Sequence, residues 1–351
     1  MKIKQNLVVL LFFAMCATPA FASIGGKPVI LIHGFDFDHL TSPPKNLQEV
    51  IRDGRDRFKD FWRSRSEAQI SYDSSERIER GISRDAYYQL RKISKRGLCN
   101  SGCVIVAHST GAILSSHLIA NQARWLRREG LRPLKITAVV DFGAADGGTE
   151  LADLAMFVAN NNGRWVNRIK RIFERFLWAP RPNNMGVVND LKPNKARTFA
   201  IATGIPRLRV VGAGNPYWGA TAPLIRGKDD GIVPLHSACG STKPGWFNSC
   251  KRRQAMDGKL TWRWAPRSLW YNYHPIVMAK DATHSGMIGS QGGVTATPVL
   301  NNRTLNGIRV AFAERRFTKR PWWKWWGGDQ YVVVPGSNRK NLSKVVYDSL
   351  R

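Results

Sequence analysis

Hydrophobic positions in the first two thirds of the chain come as short unbroken runs, separated by stretches in which apolar residues recur at helical spacing. Pro28-Val29-Ile30-Leu31-Ile32 is such a run, expected of a strand buried on both faces of a parallel sheet. It ends in His33-Gly34-Phe35, and Ser42-Pro43-Pro44 then opens a helix through Asn46–Arg52. Ala68–Tyr72 predicts a second strand, and Asp85–Ile93 a helix with Tyr88 and Leu90 among its apolar positions. Cys103–Ala107 predicts a third strand, followed by a helix from Gly111 to about Arg128. Ile136–Phe142 and Leu208–Gly212 predict a fourth and a fifth strand. Strands alternating with helices imply βαβ units: an α/β fold with a mostly parallel central sheet flanked by helices.

Between the fourth and fifth strands, residues 149–196 form an insertion. Within it Trp165, Ile169, Ile172, Phe173 and Phe176 recur at helical spacing beside a basic stripe of Arg164, Arg168, Arg171 and Arg175. A basic amphipathic helix suits a membrane surface or a partner, or packs its apolar face on the core. A helical lid does each in turn. Residues 23–300 thus read as one domain with this insertion, and 301–351 as a basic, Trp-rich extension packed on it or appended to it.

Composition changes this picture at three points. The basic start Met1-Lys2-Ile3-Lys4, the apolar stretch Leu7–Cys16 and Ala20-Phe21-Ala22 make a secretory signal peptide over residues 1–22, so export to the periplasm or the medium is expected. Of the five cysteines, Cys99, Cys103, Cys239 and Cys250 then remain in an oxidising compartment, where an even number favours disulfides. Proximity suggests Cys99–Cys103 and Cys239–Cys250 among three connectivities, and the lack of a C-x₂-C pair disfavours zinc. The formal charge of +29 speaks of partners rather than fold. Without a zinc-finger, RNP1 or KH motif, nucleic acid is not the expected partner; an anionic membrane or envelope surface is. Arg315–Trp326 packs four tryptophans among five cations, which suits a lipid interface or a polymer-binding face, or tryptophans folded onto the domain. Trp262, Trp264 and Trp270 form a similar cluster. Oligomeric state is not legible.

Candidate chemistry centres on Val104–Ala112, V-I-V-A-H-S-T-G-A. Ser109 follows a buried-type strand and precedes a helix, the context of a nucleophile elbow, although the usual first glycine of G-x-S-x-G is Ala107 here. Small residues at Ala107 and Gly111 let a sharp turn approach neighbouring strands. Acyl transfer also needs a base, an acid that orients it, and N–H donors for an oxyanion. Gly34-Phe35 ends the first strand, where a second donor would lie, so the backbone N–H groups of Phe35 and Thr110 are the candidates. Asp230, in G-K-D-D-G-I-V-P, is the candidate acid, with Asp229 and Asp141 behind it. His284, in a loop of small residues, is the candidate base; His236 and His274 compete, but His236 is too close in sequence to Asp230 to come from the next loop.

The segments P-V-I-L-I-H-G-F, A-H-S-T-G, D-D-G-I-V-P and H-S-G-M resemble, in order, those of bacterial secreted lipases and esterases of the α/β-hydrolase fold. The A-x-S-x-G variant is similar to that of a recognised lipase subgroup. Gly147–Asp153 is similar to the family's G-S-x-x-A-D segment before the lid, with Ala145-Asp146 where a Pro-His pair is common. The resemblance covers about residues 27–290. It implies hydrolysis of lipid or other carboxylic esters through an acyl-enzyme, with Ser109, Asp230 and His284 as the triad, and requires no cofactor. Some lipases of this type carry structural calcium, but no oxygen-rich loop here points to it. A phospholipase, a polyester (polyhydroxyalkanoate-type) depolymerase and a non-catalytic envelope-binding protein on the same scaffold are the alternatives.

Overall fold

In a computed structural model, the described residues are 23–351 other than 59, 162, 164–166, 168–184, 201–202, 217–223, 246–249, 251–252, 263, 267, 290 and 324. The expected signal peptide over residues 1–22 and the basic amphipathic helix expected around Trp165, Ile169, Ile172, Phe173 and Phe176 lie outside them.

The apolar runs become β1 (Val29–Ile32), β2 (Ala68–Ile70), β3 (Cys103–His108), β4 (Ile136–Phe142) and β5 (Arg207–Gly212). They join β6 (Tyr273–Ala279) and β7 (Ala296–Pro298) in one sheet of order β2-β1-β3-β4-β5-β6-β7, parallel except for the edge strand β7. With helices on both faces, this is an α/β-hydrolase fold. Alternation within each strand sends side chains to opposite faces. Ile30, Ile32, Ile105 and Ala107 enter one core, against Ala86, Leu90 and Ile93 of α4 (Ser83–Lys95) and Ile113, Leu114 and Leu118 of α5 (Thr110–Arg128). Val29, Leu31, Val104 and Val106 enter the other. The remaining α-helices among the described residues are α1 (Asp38–Thr41), α2 (Leu47–Arg55), α3 (Asp60–Arg63), α6 (Glu150–Asn160), α7 (Pro193–Phe199), α8 (Leu235–Ala238) and α9 (Leu342–Ser349).

The sixth parallel strand was not announced by the apolar pattern, because Pro275 interrupts it. Proline cannot donate to a ladder and is confined in sheets to edges and bulges. The register of β6 against β5 shifts there, with Arg209 opposite Pro275 and Val210 opposite Val277, so a bulge absorbs the proline.

The C-terminal segment folds as β8 (Arg303–Leu305), β9 (Ile308–Val310), the hairpin strands β10 (Arg315–Lys319) and β11 (Asp329–Val333), and α9. Ile308, Val310, Phe312, Val345, Val346 and Leu350 join Phe58, Trp62 and the strand residues of the second core. Trp62 Nε1 donates to Ser343 Oγ (2.9 Å), which donates to the Met287 carbonyl (3.1 Å), tying α3, α9 and the loop after β6 together. Burying one Val- or Leu-sized side chain stabilises by about 1.5–3 kcal/mol. The segment therefore contributes buried side chains to the second core. Cys99–Cys103 (Cα–Cα 4.9 Å) staples the end of α4 to the start of β3, and Cys239–Cys250 (5.6 Å) closes a loop after α8.

Candidate active site

Ser109 is the single residue between β3 and α5, and its backbone has φ 55° and ψ −124°. A side-chain-bearing residue in this region costs about 1–3 kcal/mol unless its surroundings fix it. They do so here: Ser109 N donates to the Phe142 carbonyl of β4 (2.9 Å), and its carbonyl accepts from Ala112 N (3.0 Å) and Ala145 N (3.2 Å). Gly111 is demanded by β1, since a β-carbon there would lie 2.4 Å from the Ile32 carbonyl oxygen and 2.5 Å from that of His33. Ala107 sits fully buried in the ladder between Ile32 and Asp141, and its methyl group fits.

The end of β1 abuts the elbow. A β-carbon at Gly34 would lie 2.8 Å from His108 Nδ1 and 3.0 Å from Ser109 Cβ. His33 braces this end: its ring stacks on Tyr72 (4.4 Å, 2°), Tyr72 N donates to its Nε2 (3.2 Å), and its Nδ1 lies 2.6 Å from the Gly34 carbonyl. Burial holds the His33 imidazole at a pKa of about 3, so it is the neutral ring that makes both bonds. Phe35 follows, edge-on to Phe37 at 4.5 Å.

Asp230 and His284 meet on the other side of the elbow. His284 Nδ1 lies 2.8 Å from Asp230 Oδ2, while Asp230 Oδ1 accepts from Ile232 N (3.1 Å) and Val233 N (2.8 Å). The His284 amide donates to the Asp230 carbonyl (3.0 Å). A carboxylate only accepts, so it is His284 Nδ1 that carries a proton in this bond. Gly143 joins the pair to the elbow: a β-carbon on it would lie 3.1 Å from both Asp230 Oδ2 and His284 Nδ1, and its neighbour Phe142 holds the Ser109 amide. A Ser109 Oγ–His284 hydrogen bond is not formed among the described residues.

The competing residues lie elsewhere. Asp229 Oδ1 accepts from Asn215 Nδ2 (2.9 Å) and Gly231 N (2.8 Å), and burial, with the Asp230 charge beside it, pushes its carboxyl up to about 6. Asp141 is fully buried against Arg207 (2.9 Å) and Arg209 (3.4 Å). His236 is held between Arg197 (3.0 Å) and Glu150 of α6 (2.9 Å), and His274 is half-buried on β6.

Two features escaped the sequence reading. His108, the residue before the serine, packs its ring 4.7 Å from that of His284, and its Nε2 lies 3.1 Å from the His284 carbonyl. Burial first, then the neighbouring His284, lowers its pKa to about 3, so it adds no positive charge beside the candidate base. Beneath the elbow, Asp141, Asp146, Arg207 and Arg209 form a buried cluster in which Arg207 also binds Ser115 Oγ (2.7 Å), Ser116 Oγ (2.8 Å) and the Ala112 carbonyl (2.9 Å) of α5. The signal was the R-L-R alternation of β5, which sends two arginines to one face of an otherwise apolar strand. Among the described residues, no group of three or more His, Cys, Asp or Glu is disposed to hold a metal ion, and no helix is long and apolar enough to cross a membrane.

Neither a family model nor a curated protein matches the chain. Among solved structures, it is similar to the mature lipase BlEst2 of Bacillus licheniformis (17% identity, TM-score 0.38, covering 63% of this chain and 81% of that one) and to Staphylococcus hyicus lipase (14%, 0.36, 75% and 88%). It is also similar to the phospholipase PlaB of Legionella pneumophila (15%, 0.37), of whose chain it spans 45% while 60% of this chain is covered.

Proposed function

We propose that the protein is an exported serine hydrolase of carboxylic esters, acting on lipid esters through an acyl-enzyme. The observation that carries this reading is a serine held at φ 55° between β3 and α5, with an Asp–His pair bonded at 2.8 Å across Gly143 from it.

In the proposed reaction Ser109 Oγ attacks the ester carbonyl carbon while His284 Nε2 takes its proton. Asp230 keeps the imidazole in the Nδ1–H tautomer and stabilises the imidazolium that forms. The backbone amides of Phe35 and Thr110 donate to the oxyanion, the term that usually contributes most to such catalysis. Collapse breaks the C–O bond, and His284 returns the proton to the departing alcohol. Water then cleaves the acyl-enzyme by the same steps in reverse order. No metal ion enters this scheme. The substrate is a lipid ester presented at an anionic membrane or envelope surface; phospholipids and polyesters are the close alternatives.

Purified protein is expected to hydrolyse p-nitrophenyl acyl esters, and Ser109→Ala to lower kcat by about 10⁴-fold or more with the fold intact. Equal inertness of wild type and variant across acyl chain lengths and phospholipids would remove the reading.

A further inference from the structure

The β10–β11 hairpin exposes an apolar surface that the proposed ester chemistry does not use. Its strands pair from Arg315–Val333 to Lys319–Asp329, and Trp322, Trp323, Trp325 and Trp326 belong to the tip between them. Trp322, Trp323, Trp325 and Trp326 at this tip are 92%, 65%, 88% and 74% exposed. An indole buries about 150–250 Å² when it finds a partner, so four together in water represent a large unsatisfied apolar area. Isolated exposed apolar residues need no explanation, whereas a contiguous patch marks an interaction site. The neighbouring segment adds to it: Leu260 N donates to the Gln330 carbonyl of β11 (2.8 Å), and two residues further Trp262 is 79% exposed, with Arg253 over its ring at 4.6 Å.

Positive charge surrounds this patch. From residue 315 to 326 the sequence holds five Lys or Arg and no acid. On one face of the hairpin Phe317 stacks on Tyr331 (5.4 Å, 10°), with Lys319 Nζ 4.9 Å from the Tyr331 ring. Arg315, Lys319 and Lys280 line a cavity of about 520 Å³, in which Asp257 and Asp281 offset part of their charge. Its base is fixed to the sheet, since Val334 N donates to the Ala296 carbonyl of β7 (2.8 Å), opposite Ala279 at the end of β6 from which the His284 loop departs.

We propose that this hairpin docks the protein on anionic phospholipid bilayers, the indoles entering the headgroup layer while Arg315, Lys319 and Lys280 meet lipid phosphates. Tryptophan prefers the membrane–water interface, where its ring is half desolvated and its N–H still bonded. Each cation near an anionic leaflet adds electrostatic attraction that salt weakens. A buried protein partner would need neither the interleaving of cation with indole nor the charge of the whole chain, +29.

The test is vesicle co-sedimentation with phosphatidylglycerol against phosphatidylcholine, comparing wild type with Trp322→Ser/Trp323→Ser/Trp325→Ser/Trp326→Ser and with Arg315→Gln/Lys319→Gln. Wild type is expected to partition onto phosphatidylglycerol at least roughly tenfold more strongly than onto phosphatidylcholine and to be released by salt. Brominated lipids are expected to quench its tryptophan fluorescence. The tryptophan variant should lose that partitioning and quenching, and the charge variant the preference for phosphatidylglycerol. Both should keep the wild-type Tm, because the substituted indoles are exposed. Wild type that ignores vesicles, variants that bind as well as wild type, or binding to an anionic cell-wall polysaccharide without binding to vesicles would each overturn the proposal. None of these readouts depends on ester hydrolysis, so the two proposals fail separately.

Discussion

Asp230 and His284 are joined twice, by the 2.8 Å bond from imidazole to carboxylate and by the 3.0 Å bond from the His284 amide to the Asp230 carbonyl. The backbone bond survives loss of the carboxylate charge. Asp230→Asn should therefore keep the loops paired while letting the imidazole take the wrong tautomer. The expected result is a fall in kcat of about 10⁴-fold with little change in KM. Steady-state kinetics with a soluble ester measures both.

Gly143 and Ala107 test the small residues around the elbow in opposite directions. Gly143→Ala adds a β-carbon 3.1 Å from both members of the Asp–His pair, at φ +52°. A displacement of that pair approaching ~1 Å should cost about 10²-fold in kcat. Ala107→Gly restores the usual first glycine and should leave hydrolysis close to wild type. It should cost roughly 0.5–1 kcal/mol of stability, the penalty for glycine within a strand. Urea unfolding beside kinetics separates the two outcomes.

Buried titrating groups set a pH dependence of stability with a defined sign. His33 and His108 titrate near 3 in the fold against 6.5 for a free imidazole. Between those values the unfolded chain binds protons that the folded chain refuses, so stability falls as pH drops below 6.5. The slope approaches about 1.4 kcal/mol per pH unit for each histidine. Asp229 runs the other way: raised from 3.8 to about 6, it binds its proton more tightly when folded, so its contribution falls as pH rises across that window. Two imidazoles outweigh one carboxyl, and these groups together favour neutral over acidic pH. His108→Gln should flatten the dependence of the urea midpoint between pH 4.5 and 6.5; an unchanged slope would contradict the assignment.

The four charges beneath the elbow balance only as a set. Asp141→Asn leaves Arg207 and Arg209 with Asp146 as their one carboxylate in a buried site, so a loss of about 3–5 kcal/mol is expected. Because Arg207 holds Ser115, Ser116 and the Ala112 carbonyl, the first turns of α5 should loosen as well. Hydrogen exchange of those amides, compared with amides of α9, would detect it.

What the sequence disclosed follows from where each element sits. β1 and β3 are buried on both faces, so their residues read as continuous apolar runs, and the strand-to-helix turn at Ser109 could be located from them. Asp230 and His284 were candidates because of their loops and order, whereas their contact with each other depends on Gly143 and the β4–β5–β6 register, which no local pattern encodes. β6 was hidden by Pro275, and the arginines of β5 by the habit of reading charge as exposure. The tail strands and α9 are short, and their apolar positions become meaningful only against Trp62 and the outer face of β1.

That last dependence has a temporal side. Val310 bridges Leu350, and the Gly25 β-position lies 3.1 Å from the Arg351 carbonyl oxygen, so the two ends of the described chain share one corner of the molecule. Contacts between residues so distant along the chain form late, after the longest loops have closed. A polypeptide emerging from its N-terminus cannot complete this face until Leu350 has been made.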